Sequence, residues 1–266
     1  MQPIPIGFSD VLIALPLVAV AVAAARWERT GEETSIAAAS VRAIAQLLAV
    51  GYVIEAVFGL QHPAATASFI VVMLAFATQI AARRGVGVPG SARVAAAAIG
   101  VASVAVLLAL VGLQIVPAEA QYLIPLAGML IGNSMSSCGI ALREIARDRT
   151  RAATEFETAL GLGADPRAAA RDARRRTMRA ALGPLIDATK AVGVVSLPGA
   201  MTGMILAGVS PLRAVQLQIV VMFMLLAATS VSVLLAVELG TARLFNARAQ
   251  LVSAVGPTAE PAAADA

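Results

Sequence analysis

Two opposite charges, Asp187 and Lys190, lie inside an otherwise apolar stretch of this chain. Residues three apart share one face of a helix, so the carboxylate and the ammonium group can neutralise each other. Ionisable groups in a membrane segment are costly and often line a path for a solute or a proton. Both residues lie within about two turns of the end of their segment, where a long side chain reaches the polar interface easily. The pattern is therefore open to two interpretations, a structural ion pair and part of a transport path or gate.

The apolar segment around residues 120–142, which precedes the segment of Asp187 and Lys190, carries small and polar residues on one face. Gly128 and Gly132 form a GxxxG pattern, and Ser136 extends the small face by another turn. Small residues allow two membrane helices to approach closely. Asn133 places a polar amide inside the membrane segment, where it needs a hydrogen-bond partner or a water-filled cavity. This face, which includes Met129, predicts either helix packing with one satisfied amide or the lining of a path.

The segment that contains the ion pair also contains a helix breaker. Pro198 removes a backbone donor and clashes with the preceding turn, and Gly199 follows it directly, so we expect a kink or a break. Non-helical backbone inside a bilayer persists only where protein or water satisfies it. We therefore expect the break to face the interior of the bundle, and we assign Pro198, Gly199, Met201, Thr202 and Gly203 to the same path or gate.

Methionines recur through these segments and could be read as soft metal ligands. They are Met129, Met135, Met201, Met204, Met222 and Met224. Methionine is also the common gap filler of packed cores, which is the second interpretation. The chain has one cysteine, Cys138, and one histidine, His62, so it cannot build a His/Cys metal cage from them. Whether any residue binds a metal directly stays open.

Motifs of soluble catalysis are absent from the sequence. There is no GxxxxGK[ST] phosphate loop, so this chain cannot hydrolyse ATP in that manner. There is no HExxH motif and no nucleophile elbow. We therefore expect a protein that is not an enzyme and holds no cofactor of its own.

The composition identifies the elements that position these residues. The 266 residues are 59% hydrophobic and 14% charged, with a mean hydropathy of +0.84. This balance is typical of a polytopic membrane protein, and the apolar runs are too long for the strands of a barrel. We predict an all-α fold with about seven spans of roughly 20 residues or more. They are Ile6–Ala25, Ile36–Leu60, Ala64–Ala82, Arg93–Val116, Ala120–Leu142, Leu182–Val209 and Leu212–Glu238.

The positive charges predict the orientation of these spans. Of the 20 Lys and Arg, all but Lys190 and Arg213 lie in or beside the links after the odd-numbered spans. Basic residues stay on the cytoplasmic side, so we predict a multi-pass protein of the cell membrane with its N-terminus outside and its C-terminus inside. The basic balance then reflects topology and predicts no nucleic-acid partner. We predict one transmembrane domain over residues 1–245 and a disordered cytoplasmic tail over residues 246–266.

The link between spans 5 and 6, residues 143–181, is a large arginine-rich loop. Its first part, from Arg143 to about Leu160, is compatible with a helix, which Gly161 and Gly163 can end through a left-handed cap. Asp165 can cap a second helix, with Pro166 at its first position, running to about Leu182. We expect Gly183–Pro184 to mark the entry into span 6, and Glu238 to be solvated at the end of span 7. The loop is therefore predicted to be two helices joined by a tight corner.

The corner resembles the EAA loop of ABC-transporter permeases, which docks into a groove of a separate ATPase subunit. The matching residues are Glu157, Ala159, Leu162, Gly163 and Asp165. The sequence departs from the family at Thr158, where the family prefers alanine. A helix lying on anionic lipid is the alternative interpretation of this loop.

Two further segments resemble the FetB-type iron-export ABC permeases and the related plant aluminium-tolerance permeases. They are residues 126–135 and 195–208, with residues 187–190 closer to the plant proteins. The resemblance covers roughly residues 6–245. It implies a permease that pairs with an ATPase carrying ATP and Mg²⁺, works as a homodimer, and exports iron, another metal or a solute related to metal stress.

In this interpretation, ATP-driven motion of the corner would reach span 5 through Arg143 and span 6 through Gly183–Pro184. Two other classes of protein stay open. One is a secondary carrier with Asp187, Lys190 and Glu55 as a proton relay. The other is a membrane scaffold whose basic loop recruits a cytoplasmic partner or anionic lipid without moving a solute.

Overall fold

The computed structural model describes residues 8–60, 62–246 and 248–252, and in this part of the chain it contains ten helices. They are α1 (Phe8–Trp27), α2 (Glu33–Leu60), α3 (Pro63–Arg84), α4 (Ser91–Gly112), α5 (Ala120–Arg151), α6 (Ala153–Gly161), α7 (Pro166–Ala169), α8 (Arg171–Ala191), α9 (Gly199–Leu206) and α10 (Pro211–Ala242). Beyond the helices, these residues form only two isolated β-bridges. The all-α prediction is confirmed. The start of the first predicted span, Gln61 and residues 253–266 lie outside the described residues.

Five of these helices are long and apolar enough to cross a membrane: α2, α3, α4, α5 and α10. The apolar part of α1 within the described residues, Ile13–Trp27, is shorter. The predicted sixth span is divided between α8 and α9. The structure therefore confirms a polytopic helical membrane protein, while the count of seven spans and their orientation stay predictions.

The core of the molecule is formed by α3, α4, α5 and α10, which pack against one another, with α8 seated on α5 and α10. Alanines are fully buried at these contacts, among them Ala98, Ala127, Ala228 and Ala236. Lipid tails are as apolar as leucine, so close van der Waals packing of small residues stabilises helix association in a bilayer. Helices α1 and α2 instead pair with each other at the side of this core, and α2 is exposed along nearly its whole length.

The chain is not helical between α8 and α9, which confirms the predicted break, but the break begins after Ala191 and not at Pro198. Helix α8 ends at Ala191, Gly193 adopts a positive φ of 83°, and Pro198 is the N-cap of α9. Val194 and Val195 are 90% and 81% exposed. The expectation that the break faces the interior is therefore wrong for a single chain.

The predicted boundary at Gly183–Pro184 is wrong. Helix α8 runs through both residues from Arg171 to Ala191. Proline removes one backbone hydrogen bond, and a membrane helix tolerates this loss when its neighbours hold it on both sides. Here α5 and α10 both pack against α8. The last part of the loop, from Arg171, and the first part of the sixth crossing are consequently one continuous helix.

Candidate coupling loop and transport path

The corner of the loop is built by local capping. Gly163 has a φ of 89°, and its N–H donates to the carbonyl oxygen of Leu160, while the Ala164 N–H donates to the carbonyl oxygen of Ala159. This is the left-handed end that a glycine adopts without steric cost. The predicted end of the first loop helix is confirmed at this residue, although the helix is interrupted at Ala152, between α5 and α6.

The second helix begins as predicted. The Asp165 carboxylate accepts a hydrogen bond from the Ala168 N–H at 2.9 Å, and Pro166 is the first residue of α7. This capping satisfies one of the free N–H groups of the helix start. The helix is interrupted at the buried Ala170 before α8 begins, so the corner contains one extra bend.

Helix α6 is anchored on one side and exposed on the other. Phe156 is 2% exposed and packs edge-to-face on Phe245, with the ring centroids 5.9 Å apart. Glu157 is exposed, and Leu162 at the tip is 84% exposed. Leu162 therefore projects from a corner whose inner side is fixed by Phe156. The structure thus brings together the predicted coupling residues Glu157, Ala159, Leu162, Gly163 and Asp165 on one corner.

A buried arginine that sequence reasoning missed connects the loop to two other segments. Arg149, near the end of α5, donates to the carbonyl oxygen of Gly87 in the α3–α4 link and to that of Val252 at 2.8 Å. Its partners lie 62 and 103 residues away in sequence. Nothing in the sequence distinguishes it from the other arginines of the loop, whose positive charges predict the orientation of the spans. The segment 248–252 is held against the loop, so the predicted start of a disordered tail at residue 246 is too early.

Glu238 forms the second tie at this end of the molecule. Its carboxylate pairs with Arg174 of α8 and with Arg167 of α7, the latter at 3.3 Å. Burial, and then the neighbouring Arg167, lower the pKa of the Arg174 guanidinium group. The prediction that Glu238 is simply solvated is wrong. This carboxylate joins α10 directly to the start of α7 and α8.

The predicted path residues of α5 have different surroundings. A Cβ added at Gly128 would lie 3.1 Å from the Met73 Cε atom of α3, whereas one added at Gly132 would meet no atom within 4 Å. The Asn133 amide donates to the Met129 carbonyl oxygen of its own helix at 2.9 Å. Of the GxxxG pair, Gly128 therefore lies at a close helix contact and Gly132 does not. Asn133 has a partner for one of its groups.

The predicted path residues of the sixth crossing lie at the surface of the single chain. The Lys190 ammonium group and the Asp187 carboxylate are 3.7 Å apart, which confirms the pair, and both side chains are exposed. The Thr202 hydroxyl donates to the Pro198 carbonyl oxygen at 3.2 Å. Helix α9 packs against α10 and does not pack against α5. One chain therefore does not bring together the two predicted halves of the path, residues 128–133 and 198–203.

Neither a metal cage nor a proton relay is assembled among the described residues. They contain no group of three or more His, Cys, Asp or Glu that could hold a metal ion. Met224 is buried in the core, and Met129 and Met135 pack against it, as a gap-filling role predicts. Glu55 is exposed on α2, which does not pack against α8, so the structure does not place it with the ion pair.

Comparisons with known proteins identify the family. A model described as an uncharacterised protein family, UPF0014, matches residues 8–245, and the chain belongs to that family. It is 38% identical over 250 residues to the UPF0014 membrane protein STAR2 of Oryza sativa subsp. japonica, covering 94% of this chain and 88% of the relative. It is 34% identical over 243 residues to the probable iron export permease protein FetB of Escherichia coli, covering 90% and 93%.

A second plant protein is also similar. Protein ALUMINUM SENSITIVE 3 of Arabidopsis thaliana is 39% identical over 191 residues, which cover 72% of this chain and 70% of the relative. No solved structure matches this chain.

Proposed function

We propose that this chain is the membrane permease subunit of an ABC transporter, driven by a separate ATPase subunit that binds ATP and Mg²⁺. The observation that carries the proposal is the anchored corner of the loop, with Leu162 exposed at its tip and Phe156 buried behind it. Such a corner can transmit force because its inner side is fixed while its outer side is free to dock. The relative named as an iron export permease supports the transport role.

The solute proposed for this transporter is iron, another metal, or a solute produced under metal stress. The bacterial relative is named for iron export and one plant relative for aluminium sensitivity, so both names concern metals. Export from the cytoplasm is the direction that the bacterial name supports. The protein is then an integral protein of the cell membrane, with its loop in the cytoplasm.

We further propose that two copies of the chain form the permease. The break at residues 192–198 leaves the apolar side chains of Val194 and Val195 exposed on the single chain. A second copy seated on this break would cover them. It would also bring residues 128–133 and 198–203 of the two copies to one interface, with Asp187 and Lys190 beside it.

Coupling in this proposal uses the helices that lead from the corner into the bundle. The corner connects to α5 through α6. Helix α8 is unbroken at Gly183 and Pro184, so it can transmit a movement of the corner into the sixth crossing. Glu238 adds a direct tie to α10. Docking of the ATPase would therefore move α5, α8 and α10 together.

Co-purification of the permease with the proposed ATPase subunit tests the docking corner. We expect Leu162→Asp to reduce ATPase recovery at least tenfold, because a carboxylate replaces the apolar tip. Val86→Asp is the matched control, since Val86 is 81% exposed in the α3–α4 link at the same end of the molecule. Equal recovery of the ATPase with both variants would contradict the docking role.

A further inference from the structure

Five buried polar side chains in the core have an atom without a hydrogen-bond partner among the described residues. They are Ser103 of α4, Ser134 of α5, and Gln218, Thr229 and Ser232 of α10. All are less than 5% exposed, and they belong to three helices that pack against one another. We call this set the polar seam.

The lack of partners is not a general property of hydroxyls in this protein. Thr189, Thr202 and Thr241 each donate to the carbonyl oxygen four residues earlier in their own helix. Thr241 lies on α10, the helix that also carries Thr229 and Ser232. The same bond is open in principle to the hydroxyls of the seam. Their oxygens are instead left without partners between helices, where a bilayer supplies no water.

The seam extends along the bundle. On α10, Gln218, Thr229 and Ser232 fall within about 60° of one another at 100° per residue, so they share one stripe. On the side of the bundle opposite the loop, α4 ends and α5 and α10 begin. Measured from these helix ends at 1.5 Å per residue, the five members lie at depths of about 10 to 32 Å. The polar seam therefore extends over about 22 Å, most of the roughly 30 Å thickness of a hydrocarbon core.

We propose that the polar seam is the closed form of a water-filled path inside each chain, between α4, α5 and α10. Its neutral hydroxyl and amide oxygens suit a cation that is coordinated by oxygen, either hydrated or partly stripped of water. This inference rests on the proposed transport function and differs from it in placing a path within one copy rather than between two. When the helices separate, water and the solute satisfy the oxygens that the closed state leaves unpaired.

The packing around the seam favours such a separation. Ala127 of α5 and Ala228 and Ala236 of α10 are fully buried near its members in sequence. An alanine contact loses few atomic contacts when two helices move apart by a small distance. The opening motion also has a driver, because Glu238 at the loop end of α10 is tied to α7 and α8.

Cysteine accessibility tests the path without knowledge of the solute. Cys138 is the one cysteine of the chain, so Cys138→Ser provides a background without thiols. Ser134→Cys and Ser232→Cys are introduced into the full-length permease, in membranes that also contain its ATPase. A water-soluble methanethiosulfonate reagent is then applied with and without ATP and Mg²⁺, because it modifies thiols that water reaches. Ala98→Cys is the matched control, since Ala98 is fully buried on α4 and faces about 140° away from Ser103.

We expect both seam cysteines to be modified at least tenfold faster than the control during ATP hydrolysis, and more slowly without ATP. Modification no faster than the Ala98→Cys control in every condition overturns the path. If either variant unfolds, Ser103→Cys and Thr229→Cys replace it and are judged by the same ratio. If no ATPase activity is coupled to this chain, the proposed function fails, but faster modification of the seam in any condition still supports a water path.

Discussion

The loop end of the molecule and the polar seam treat buried polar groups in opposite ways. At the loop end, Arg149 donates to two backbone carbonyl oxygens and Glu238 pairs with two arginines, so both groups have partners. In the seam, Ser134 and Ser232 are fully buried with hydroxyls that have no partner in the described structure. A satisfied polar network makes a region rigid, whereas unsatisfied groups raise the energy of the closed state. The contrast supports the proposal that the loop end moves as a rigid body and that the bundle opens along the seam.

Breaking the contacts of Arg149 at the loop end should have the largest effect. Arg149→Leu leaves the carbonyls of Gly87 and Val252 without donors, and we expect it to lower the free energy of unfolding by about 2–4 kcal/mol. Arg147→Leu is the control, because Arg147 is half-exposed and pairs only with Glu144 in the described structure, a contact of about 0.5 kcal/mol. Thermal unfolding of the purified permeases in detergent measures both. Equal losses in the two variants would show that Arg149 is not a special tie.

The corner itself should be sensitive to one substitution. Gly163→Val forces a β-branched residue to a φ of 89°, which costs about 1–2 kcal/mol locally. We expect the variant to remain in the membrane but to lose ATP-driven transport. Gly161→Val is the control, since Gly161 lacks a positive φ and has open space around it. Normal transport by Gly163→Val with the ATPase bound would refute the coupling role of the corner.

Weakening the tie to α10 should have a smaller effect. Glu238→Gln keeps the shape but removes the charge that offsets Arg167 and Arg174, and since the carboxylate is partly exposed we expect a loss of about 0.5–1 kcal/mol. Transport per ATP hydrolysed should fall severalfold, because α10 no longer follows the loop. Glu144→Gln, on the surface of α5, should change neither quantity. The ratio of solute moved to phosphate released in proteoliposomes decides the matter.

Removing one hydroxyl that lacks a hydrogen-bond partner should have the smallest effect on stability. It also tests most directly whether the polar seam differs from the loop end. Thr229→Val deletes an oxygen that has no partner, so we expect the stability to be unchanged or to rise by less than about 1 kcal/mol while transport falls. Thr241→Val deletes a hydroxyl that donates to Val237, and we expect a loss of about 1 kcal/mol. Unfolding in detergent compares the two variants. A similar loss in both would remove the distinction between the seam and the loop end.

Features that depend on neighbouring residues could be predicted from the sequence, and contacts between residues far apart in the chain could not. The left-handed cap at Gly163 and the cap at Asp165 depend on residues within one turn, so their pattern predicted them correctly. The boundary at Gly183–Pro184 failed because packing by α5 and α10 outweighed the lost hydrogen bond.

The partners of Arg149 and Glu238 could not be predicted because they are brought together only by the folded bundle. The Arg149 contacts join residues 62 and 103 positions apart. The members of the polar seam likewise could not be predicted, because they depend on which side chains lie at helix contacts. The spacing of Gln216 and Gln218 places them on different faces of a helix, but it does not show which of the two is buried. The structure buries Gln218 and exposes Gln216.

The two acceptors of Arg149 are backbone carbonyls, and this has a consequence for comparative sequence studies. Position 87 is restricted to glycine by its φ of 106°, but position 252 can hold any side chain and still offer its oxygen. Substitution at 252 therefore leaves no covarying mark on Arg149. An insertion or deletion between α10 and residue 252 would displace the acceptor, so length, rather than residue identity, is the property that this contact constrains.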